Sequence, residues 1–221
     1  MAPVILGIDE AGRGPVLGPL VVAGVVLKSQ AASALTRRGV MDSKEYGAGE
    51  EAREKRRELA HHIRRVAEKV KIEVFEHDEV DRYTDYGLLN ELERKAAVSI
   101  IVEAGVVKRI VADGEKVFGP LRHRFPHLEA RDFGEQYHVA VAAASIVAKD
   151  RRDTLFQAIA DRYDAEFGPV RGGGYVNSAT AEFLRRYHAR YRRLPAETRR
   201  SFRWKVLHEL EPRPLPLFEE R

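Results

Sequence analysis

Two adjacent acids, Asp9 and Glu10, are candidates for catalytic or metal-binding residues. They stand between two apolar runs, at residues 4–6 and 20–27. Apolar runs of this length, bounded by Gly and Pro, predict buried strands, so both acids lie where a strand ends. Alternate side chains of a strand point to opposite faces. We therefore expect the chain to turn at Glu10, so that both carboxylates can reach one site.

The loop after these acids carries Gly12, Arg13 and Gly14. Glycine lets the backbone turn and leaves it bare, and arginine presents a planar fork of donors that suits a phosphate group. Paired acids, bare backbone and a cation together predict a site for a metal ion and a phosphate. Dinucleotide binding is excluded because it needs a Gly-x-Gly-x-x-Gly loop that opens a helix, whereas Gly18 here leads into a strand.

Further acids stand at the ends of two later strands. Asp113 closes the strand predicted at 106–113, and Asp132 and Glu135 lie at the end of the strand predicted at 128–133. Carboxylates that converge at neighbouring strand ends repel one another unless a cation joins them, and all-oxygen sites suit Mg²⁺ or Mn²⁺. Two such ions about 4 Å apart can generate hydroxide and stabilise the leaving oxygen in phosphodiester hydrolysis.

Five blocks of the sequence together resemble type 2 ribonuclease H, the ribonuclease HII family. The first and most specific is Gly-Ile-Asp-Glu-Ala-Gly-Arg-Gly-Pro at residues 7–15, with Gly-Pro following at 18–19. The others come in the family's order: Met-Asp-Ser-Lys at 41–44, Val-Ala-Asp at 111–113, Ala-Ala-Ser-Ile-Val-Ala-Lys at 143–149 and Gly-Tyr at 174–175. The resemblance covers about residues 4–208. It implies a ribonuclease H fold and a metal-dependent endoribonuclease.

The resemblance assigns roles to the acids. Asp9 corresponds to the carboxylate that bridges two Mg²⁺ or Mn²⁺ ions, and Glu10 and Asp113 correspond to ligands of the ion on the leaving-group side. The resemblance further implies hydrolysis of RNA in RNA/DNA hybrids and nicking 5′ of a single ribonucleotide embedded in duplex DNA. Such cleavage leaves 3′-hydroxyl and 5′-phosphate ends.

The fourth acid of the family is normally an Asp ten residues before the Ser of the 143–149 block. Counting back from Ser145 reaches Glu135, an acid type more usual at this place in the related type 3 enzymes. Asp132 is the rival, three residues earlier and expected still within the strand. We predict Glu135 as the fourth ligand because its longer side chain can reach the site from the same place.

The resemblance also predicts the residues that contact substrate. The backbone of the Gly-Arg-Gly loop at 12–14 is expected to sense the ribose 2′-hydroxyl, the group that distinguishes RNA from DNA. Tyr175 matches a tyrosine that lies against the nucleotide after the ribonucleotide, and Lys44 and Lys149 match positions close to phosphates. Tyr175 could instead anchor its loop in the core, and each lysine could be an ordinary surface charge.

Two other functions remain open from the sequence alone. The first is a type 3-like nuclease that needs runs of ribonucleotides, which Glu135 favours and the Gly-Arg-Gly and Gly-Tyr blocks oppose. The second is a nucleic-acid-binding module with an inactive site, which the four acids argue against. A nicking assay in Mg²⁺ distinguishes the three.

The composition bounds the remaining possibilities. At 221 residues, the chain suits one large domain or one domain with a small appendage. It contains no cysteine, which excludes disulfides, thiolate zinc sites and cysteine nucleophiles. The sequence shows neither a targeting segment nor an apolar run of membrane-spanning length. We therefore expect a cytoplasmic protein, and a monomer.

Basic residues are concentrated towards the C-terminus, which predicts a polyanionic partner. The segment 185–205 has Glu197 as its single acid and holds nine bases: Arg185, Arg186, Arg190, Arg192, Arg193, Arg199, Arg200, Arg203 and Lys205. We predict that this segment binds RNA/DNA hybrids and ribonucleotide-containing duplex DNA through their phosphates. Further on, residues 214–218, Pro-Leu-Pro-Leu-Phe, resemble peptides that bind sliding clamps but lack the usual leading Gln. A disordered apolar tail is the alternative.

The hydrophobic pattern predicts an α/β fold, a mixed five-stranded sheet flanked by helices, with a helical C-terminal part. Strands are predicted at 4–9, 20–27, 71–76, 106–113 and 128–133, and helices at 50–70, 88–104, 116–125, 139–167 and 179–191, with a last helix around 204–207. Residues 31–49 are predicted to be irregular. We divide the chain into a ribonuclease H-like catalytic core at 1–150 and a helical substrate-binding part at 151–221 that ends in a loose tail.

Overall fold

The computed structural model describes residues 4–40, 47 and 49–212, without the side chain of Tyr137. A five-stranded sheet in the order β3-β2-β1-β4-β5 lies at its centre. The strands are β1 (Val4–Ala11), β2 (Leu20–Lys28), β3 (Lys69–Phe75), β4 (Arg109–Asp113) and β5 (Leu128–Arg131). β1, β2 and β3 pair antiparallel, whereas β4 is parallel to β1 and β5 is parallel to β4. The predicted mixed five-stranded α/β sheet is therefore confirmed.

Helices cover both faces of this sheet. In the described residues they are α1 (Ser29–Arg37), α2 (Glu50–Val66), α3 (His77–Asp85), α4 (Leu89–Ala104), α5 (Glu115–Phe118), α6 (Gly134–Tyr137), α7 (Val139–Phe167), α8 (Ser178–Tyr191) and α9 (Lys205–Leu210). Short 3-10 turns occur at Gly119–His123 and Gly172–Gly174. One apolar cluster joins α4 to one face of the sheet, and a second joins α1, α2 and α7 to the other.

The long helix α7 lies directly on β1. A Cβ atom at Gly7 would overlap the backbone of Ala140, and the first turns of α7 consist of small buried residues at 140–144. A glycine in a strand permits this close approach of a second backbone. The predicted buried helix at 139–167 is confirmed, and its position on β1 fixes it beside the acids that end that strand.

Two helical stretches differ from the prediction. Residues 29–37 form α1 where irregular structure is expected, and Leu35 is the one fully buried side chain of this helix. An apolar stripe of one residue is too weak to stand out in a sequence pattern. α3 has no counterpart in the prediction for the same reason, since Val80 is its one buried residue.

The boundary between α2 and β3 also differs from the prediction. The helix predicted at 50–70 ends at Val66, and the strand begins at Lys69 because Lys69 and Val70 already pair with β2. Apolar residues at 66 and 70 continue the helical spacing, so periodicity alone places the end too late.

The turn expected at Glu10 is wrong. β1 continues through Glu10, which pairs with Val22 of β2. On the other side of β1, the pairing with β4 ends at Ile8 and Ala112, and β4 itself ends at Asp113. The last residues of β1 therefore border open space on the β4 side, and both acids reach that space without a turn.

A third apolar cluster holds the C-terminal part together. Its members come mainly from α7, α8 and α9, but Val16 and Leu17 of the loop after β1 also belong to it. α7 runs unbroken through position 150, so the two proposed parts share a helix as well as a loop. The division at 150 stays a prediction. Among the described residues, none of the helices has the length and apolar character needed to cross a membrane.

Candidate active site

An open cavity of about 370 Å³ lies where β1 and β4 end. The residues that line it are Asp9, Glu10, Asp113, Gly114, Asp132, Phe133, Glu135, Ser145 and Lys149. The structure thus brings together all four predicted acids, together with the rival acid and one predicted lysine.

The parallel pairing of β1 and β4 places the first two acids side by side. Ile8 pairs with Ala112, so the next residues, Asp9 and Asp113, stand side by side where the pairing of β1 with β4 ends. Asp9 is only 5% exposed, and its Oδ1 accepts a hydrogen bond of 2.8 Å from the amide of Glu10. Oε2 of Glu10 is buried and accepts no hydrogen bond from any described residue. A buried carboxylate oxygen in this position is suited to a cation.

The electrostatics of the cavity favour a bound cation. Burial, together with the charge of Asp113, raises the pKa of Asp9 to about 7, although hydrogen bonds from Ser145 and Glu10 and the charge of Lys149 act in the opposite direction. Burial and the charges of Asp9, Glu93 and Asp113 raise the pKa of Glu10 well above its usual range. The protein alone therefore holds protons here that a metal ion would displace.

Glu135 and Asp132 occupy different environments. β5 ends at Arg131, and the following turn contains Phe133 in the left-handed region with φ 60°. This turn starts α6, whose first amide, at Gly134, donates a 2.7 Å hydrogen bond to Oδ1 of Asp113. Glu135 is only 4% exposed, so it stands inside the cavity beside that acid.

Asp132 lies in the turn after β5, so its expected place within the strand is wrong. Its side chain is exposed, and Oδ1 accepts a 2.9 Å hydrogen bond from the amide of Glu115 at the start of α5. Asp132 therefore has a local role in joining two loops, whereas Glu135 has the more enclosed position.

The oxygen donors of the cavity suit a hard divalent cation, although they do not yet lie close enough together to coordinate one. Within residues 4–40, 47 and 49–212, no three His, Asp or Glu side chains are already gathered closely enough to hold a metal ion. The groups that line the cavity nevertheless offer carboxylate oxygens, the ligands that Mg²⁺ and Mn²⁺ prefer. A bound cation would draw the carboxylates together by removing their mutual repulsion.

The Gly-Arg-Gly loop follows the acids, and side chains of α4 bind its arginine. Arg13 turns its guanidinium to α4, where it pairs with the fully buried Glu93 and donates a 2.6 Å hydrogen bond to Asn90. A Cβ atom at Gly12, whose φ is 92°, would approach the carbonyl oxygen of Pro19 to 2.6 Å. Gly14 is exposed, with nothing within 4 Å of its missing Cβ atom. The guanidinium of Arg13 is thus tied to α4 although 39% of the side chain stays exposed, and the backbone of Gly14 faces the solvent.

The C-terminal part binds the next residues of this loop through backbone hydrogen bonds. The amides of Val16 and Leu17 donate to the carbonyl oxygen of Gly174 at 2.8 and 3.2 Å, and the amide of Gly18 donates to that of Glu197 at 3.0 Å. A Cβ atom at Gly174 would lie 2.7 Å from the carbonyl oxygen of Leu17, so only glycine fits there. The loop after β1 and the loop of residues 172–175 are therefore one unit.

Arg199 supports the same loop from inside the protein. It is fully buried, and its Nε donates a 2.8 Å hydrogen bond to the carbonyl oxygen of Gly18 while Nη1 donates to that of Arg13 at 3.3 Å. Burial and the nearby charge of Arg152 lower the pKa of Arg199 to about 9, which leaves the guanidinium charged at neutral pH. Arg199, which is predicted from the sequence to bind phosphate, therefore binds the backbone of this loop instead.

Tyr175 is half exposed and does not lie in the core. The three preceding glycines all have positive φ, which carries the chain close to the loop after β1. The guanidinium carbon of Arg152 lies 5.2 Å from the ring centroid of Tyr175. Lys149 lines the acidic cavity one turn earlier on α7 than Arg152. The predicted contact residue Lys44 lies outside the described residues.

The C-terminal arginines are less available for phosphates than the sequence suggests. Acids from other segments pair with several bases: Glu209 with Arg185 and Lys205, Glu166 with Arg190, and Glu211 with Arg200. The segment 185–205 was predicted to bind phosphates because it holds a single acid. That reasoning is wrong for these paired bases and for the buried Arg199. Four others are exposed and form no ion pair with a described residue: Arg186, Arg192, Arg193 and Arg203.

Several supporting residues carry no motif of their own in the sequence. Glu93 and Asn90 hold Arg13, and Arg152 and Arg199 hold the backbone of the same loop. One signal was present for Arg152. It follows Ser145 by seven positions in a helix, which puts it on the same face as the residues of the acidic cavity.

The chain is similar to known proteins over almost its whole length. The family model for ribonuclease HII matches residues 6–205. Ribonuclease HII of Methanothermobacter thermautotrophicus is 37% identical over 205 residues, which cover 90% of this chain and 95% of that protein. The structure of ribonuclease H2 from Pyrococcus horikoshii is similar with a TM-score of 0.78 at 25% identity, over 94% of this chain and 97% of that one. RNase HII from Archaeoglobus fulgidus, solved in complex with PCNA, gives 0.76 at 28% identity, over 96% and 98%.

Proposed function

Because this chain belongs to the ribonuclease HII family, whose members are RNase H-type endoribonucleases, we propose that it nicks duplex DNA 5′ of a single embedded ribonucleotide. It also hydrolyses RNA in longer RNA/DNA hybrids, and both reactions leave 3′-hydroxyl and 5′-phosphate ends. The observation that carries this proposal is a set of backbone hydrogen bonds. They join the loop after β1, which lies beside the acidic cavity, to the loop of Tyr175.

The acidic cavity supplies the hydrolytic centre in this proposal. Ribonucleases H depend on divalent metal ions, and Asp9, Glu10, Asp113 and Glu135 would hold two Mg²⁺ or Mn²⁺ ions during catalysis. When bound, such ions activate water and stabilise the leaving oxygen of a phosphodiester. Asp9 is buried at 5% exposure, and burial and the charge of the neighbouring Asp113 raise its pKa. These observations support the bridging role that the resemblance to the family gives it.

Two residues of α7 assist these acids. Ser145 donates a hydrogen bond to Asp9, which fixes the orientation of that carboxylate. Lys149 lines the same cavity and its positive charge acts on Asp9. A cation beside the acids attracts the scissile phosphate, which the carboxylates alone would repel.

The loop after β1 distinguishes ribose from deoxyribose. Gly12 and Gly14 leave the backbone without side chains, and Glu93 holds the guanidinium of Arg13 against α4. A 2′-hydroxyl group both donates and accepts hydrogen bonds, so backbone amides and carbonyls can recognise it at close range. Tyr175, joined to this loop through Gly174, lies against the deoxyribose that follows the ribonucleotide.

One set of substrates tests the proposal. A duplex DNA with a single ribonucleotide should be nicked 5′ of that nucleotide in Mg²⁺ or Mn²⁺, and the same duplex without it should stay intact. Chelation of the metal should abolish the nick. Cleavage of long hybrids alone would instead support a type 3-like nuclease, and binding without cleavage would support an inactive module.

Replacement of Tyr175 by Ala should damage recognition of the single ribonucleotide more than hydrolysis itself. The ring presents an apolar face and is half exposed, so its loss should reduce cleavage at a single ribonucleotide by about tenfold more than cleavage of a long hybrid. The melting temperature should change little because the side chain is not in the core. Rates on both substrates and a thermal melt of one variant measure this.

Tyr86→Ala is the matched control for this variant, since Tyr86 is an exposed tyrosine at the end of α3. It should leave the ratio of the two rates unchanged. If Tyr175→Ala lowers both rates equally and unfolding requires about 3 kcal/mol less free energy, as after truncation of a core aromatic, Tyr175 is an anchor of the core and the junction role is wrong.

The clamp-binding segment also belongs to this proposal. Residues 214–218, which resemble a clamp-binding peptide, lie outside the described residues. A related RNase HII has been solved with PCNA, and this supports residues 214–218 of this chain as a contact for a sliding clamp. Such a contact would bring the nuclease to newly synthesised duplex DNA.

A further inference from the structure

Arg152 is a buried guanidinium between the two recognition loops. It lies on the face of α7 that also carries Ser145, Lys149 and Phe156, at spacings of four, three and four residues. The first two of these line the acidic cavity, so Arg152 stands one turn beyond it. It is only 2% exposed.

The contacts of Arg152 reach both loops at once. Nη2 donates hydrogen bonds to the carbonyl oxygen of Gly173 and, at 3.4 Å, to that of Leu17. Its guanidinium carbon lies over the ring of Tyr175, 5.2 Å from the centroid, and its Cγ lies 3.2 Å from the place of a Cβ atom at Gly12. Arg152 therefore contacts Gly12 and Leu17 of the loop after β1, and it also contacts Tyr175.

The shape of the arginine side chain matters for these contacts. A planar guanidinium can donate hydrogen bonds at its edge while an aromatic ring packs on its face, which the ammonium group of lysine cannot do. Burial of a charge opposes folding, and the pKa of Arg152 is lowered by burial. A buried ionic group of this kind is a weak source of stability and a better source of fixed geometry.

We propose that Arg152 is a positioning residue that fixes the Gly-Arg-Gly loop and Tyr175 at one spacing, and so sets the preference for the junction between a ribonucleotide and the deoxyribonucleotide that follows it. This inference rests on the proposed function, because it assumes that the two loops read these two sugars. Arg152 acts through Tyr175 and the loop backbone, and it makes no contact with the reacting atoms.

Arg152→Gln is the first test. It should lower kcat/KM for a duplex with one ribonucleotide about tenfold more than kcat/KM for a long hybrid, a change typical of contacting residues that are coupled. A long hybrid can be cut in many registers and presents no single junction, so it depends less on the spacing of the loops. Arg151→Gln is the matched control, because it removes the same charge from an exposed position on the same helix. It should leave the ratio unchanged.

Arg152→Lys separates positioning from stability. Lysine keeps the charge and can reach one carbonyl oxygen, so the melting temperature should return towards that of the parent. The ratio of kcat/KM for the single ribonucleotide to that for the long hybrid should stay low, because the planar guanidinium over Tyr175 is lost. This variant also decides the matter if Arg152→Gln does not fold.

A double-mutant cycle with Tyr175→Ala identifies the route of the effect. In the Tyr175→Ala background, Arg152→Gln should change the substrate ratio by less than about twofold, because the residue that it positions is already absent. Equal losses on both substrates for Arg152→Gln and Arg152→Lys, or full additivity in the cycle, would overturn the inference. A parent enzyme that does not cut at a single ribonucleotide would overturn the proposed function itself.

Discussion

Replacement of Asp9 by Asn, or of Asp113 by Asn, should reduce hydrolysis of an RNA/DNA hybrid in Mg²⁺ by about three orders of magnitude or more, comparable with loss of a catalytic group. The two carboxylates stand side by side where the pairing of β1 with β4 ends, and they line one cavity. An amide keeps the shape of the side chain but loses the negative charge that a divalent cation needs. Single-turnover rates on a hybrid measure the effect.

The fold and the affinity for hybrid should survive these two changes. The pKa of Asp9 is raised from 3.8 to about 7 in the folded protein, so its ionisation opposes folding increasingly as the pH rises between these values and in full above them. A neutral Asn removes this opposition, and metal-free Asp9→Asn at pH 7.5 should melt no lower than the parent. Asp161→Asn, which removes an exposed acid from α7, should leave the rate unchanged. Near-parental rates for Asp9→Asn or Asp113→Asn would exclude the two-metal assignment.

Glu135→Gln should reduce the rate by about 100-fold or more, the order expected when a catalytic carboxylate is lost. Glu135 is buried in the wall of the cavity, on a helix whose first amide binds Asp113. Asp132→Asn should have a much smaller effect, because the Asn oxygen can still accept the hydrogen bond from the amide of Glu115. The two variants, assayed on the same hybrid, form a matched pair that differs by three positions in the chain.

The ranking of the two variants decides which acid is the fourth ligand. If Asp132→Asn has the larger effect, the count back from Ser145 led to the wrong residue and the exposed acid moves to the metal when it binds. A titration of Mg²⁺ adds a second measurement. Replacement of the true ligand should raise the concentration of Mg²⁺ needed for half-maximal rate. Replacement of an acid that only joins two loops should leave that concentration unchanged.

The sequence predicted the sheet and the acids for identifiable physical reasons. β1 begins with the apolar run 4–6, β2 is apolar almost throughout, and α7 begins with a run of small apolar residues that has no polar face. Acids at the ends of neighbouring strands can converge on one site, so the sequence alone predicts that Asp9 and Asp113 lie together.

The supports of the recognition loop could not be predicted in the same way. Arg199 and Glu93 are charged residues in polar surroundings of the sequence, yet both are fully buried. Their burial depends on contacts between segments far apart in the chain, which no local pattern records. α1 and α3 were missed for a simpler reason, since each is nine residues long and buries one residue.

The long-range support of the Gly-Arg-Gly loop has a consequence for protein synthesis. Arg199 donates to the carbonyl oxygen of Gly18 across 181 positions of sequence. At about 5–20 residues per second, a ribosome needs roughly 10–40 s to make that interval. The residues of the loop are thus translated well before the arginine that supports them. We expect a nascent chain to hold this loop in its final conformation only after Arg199 has been made.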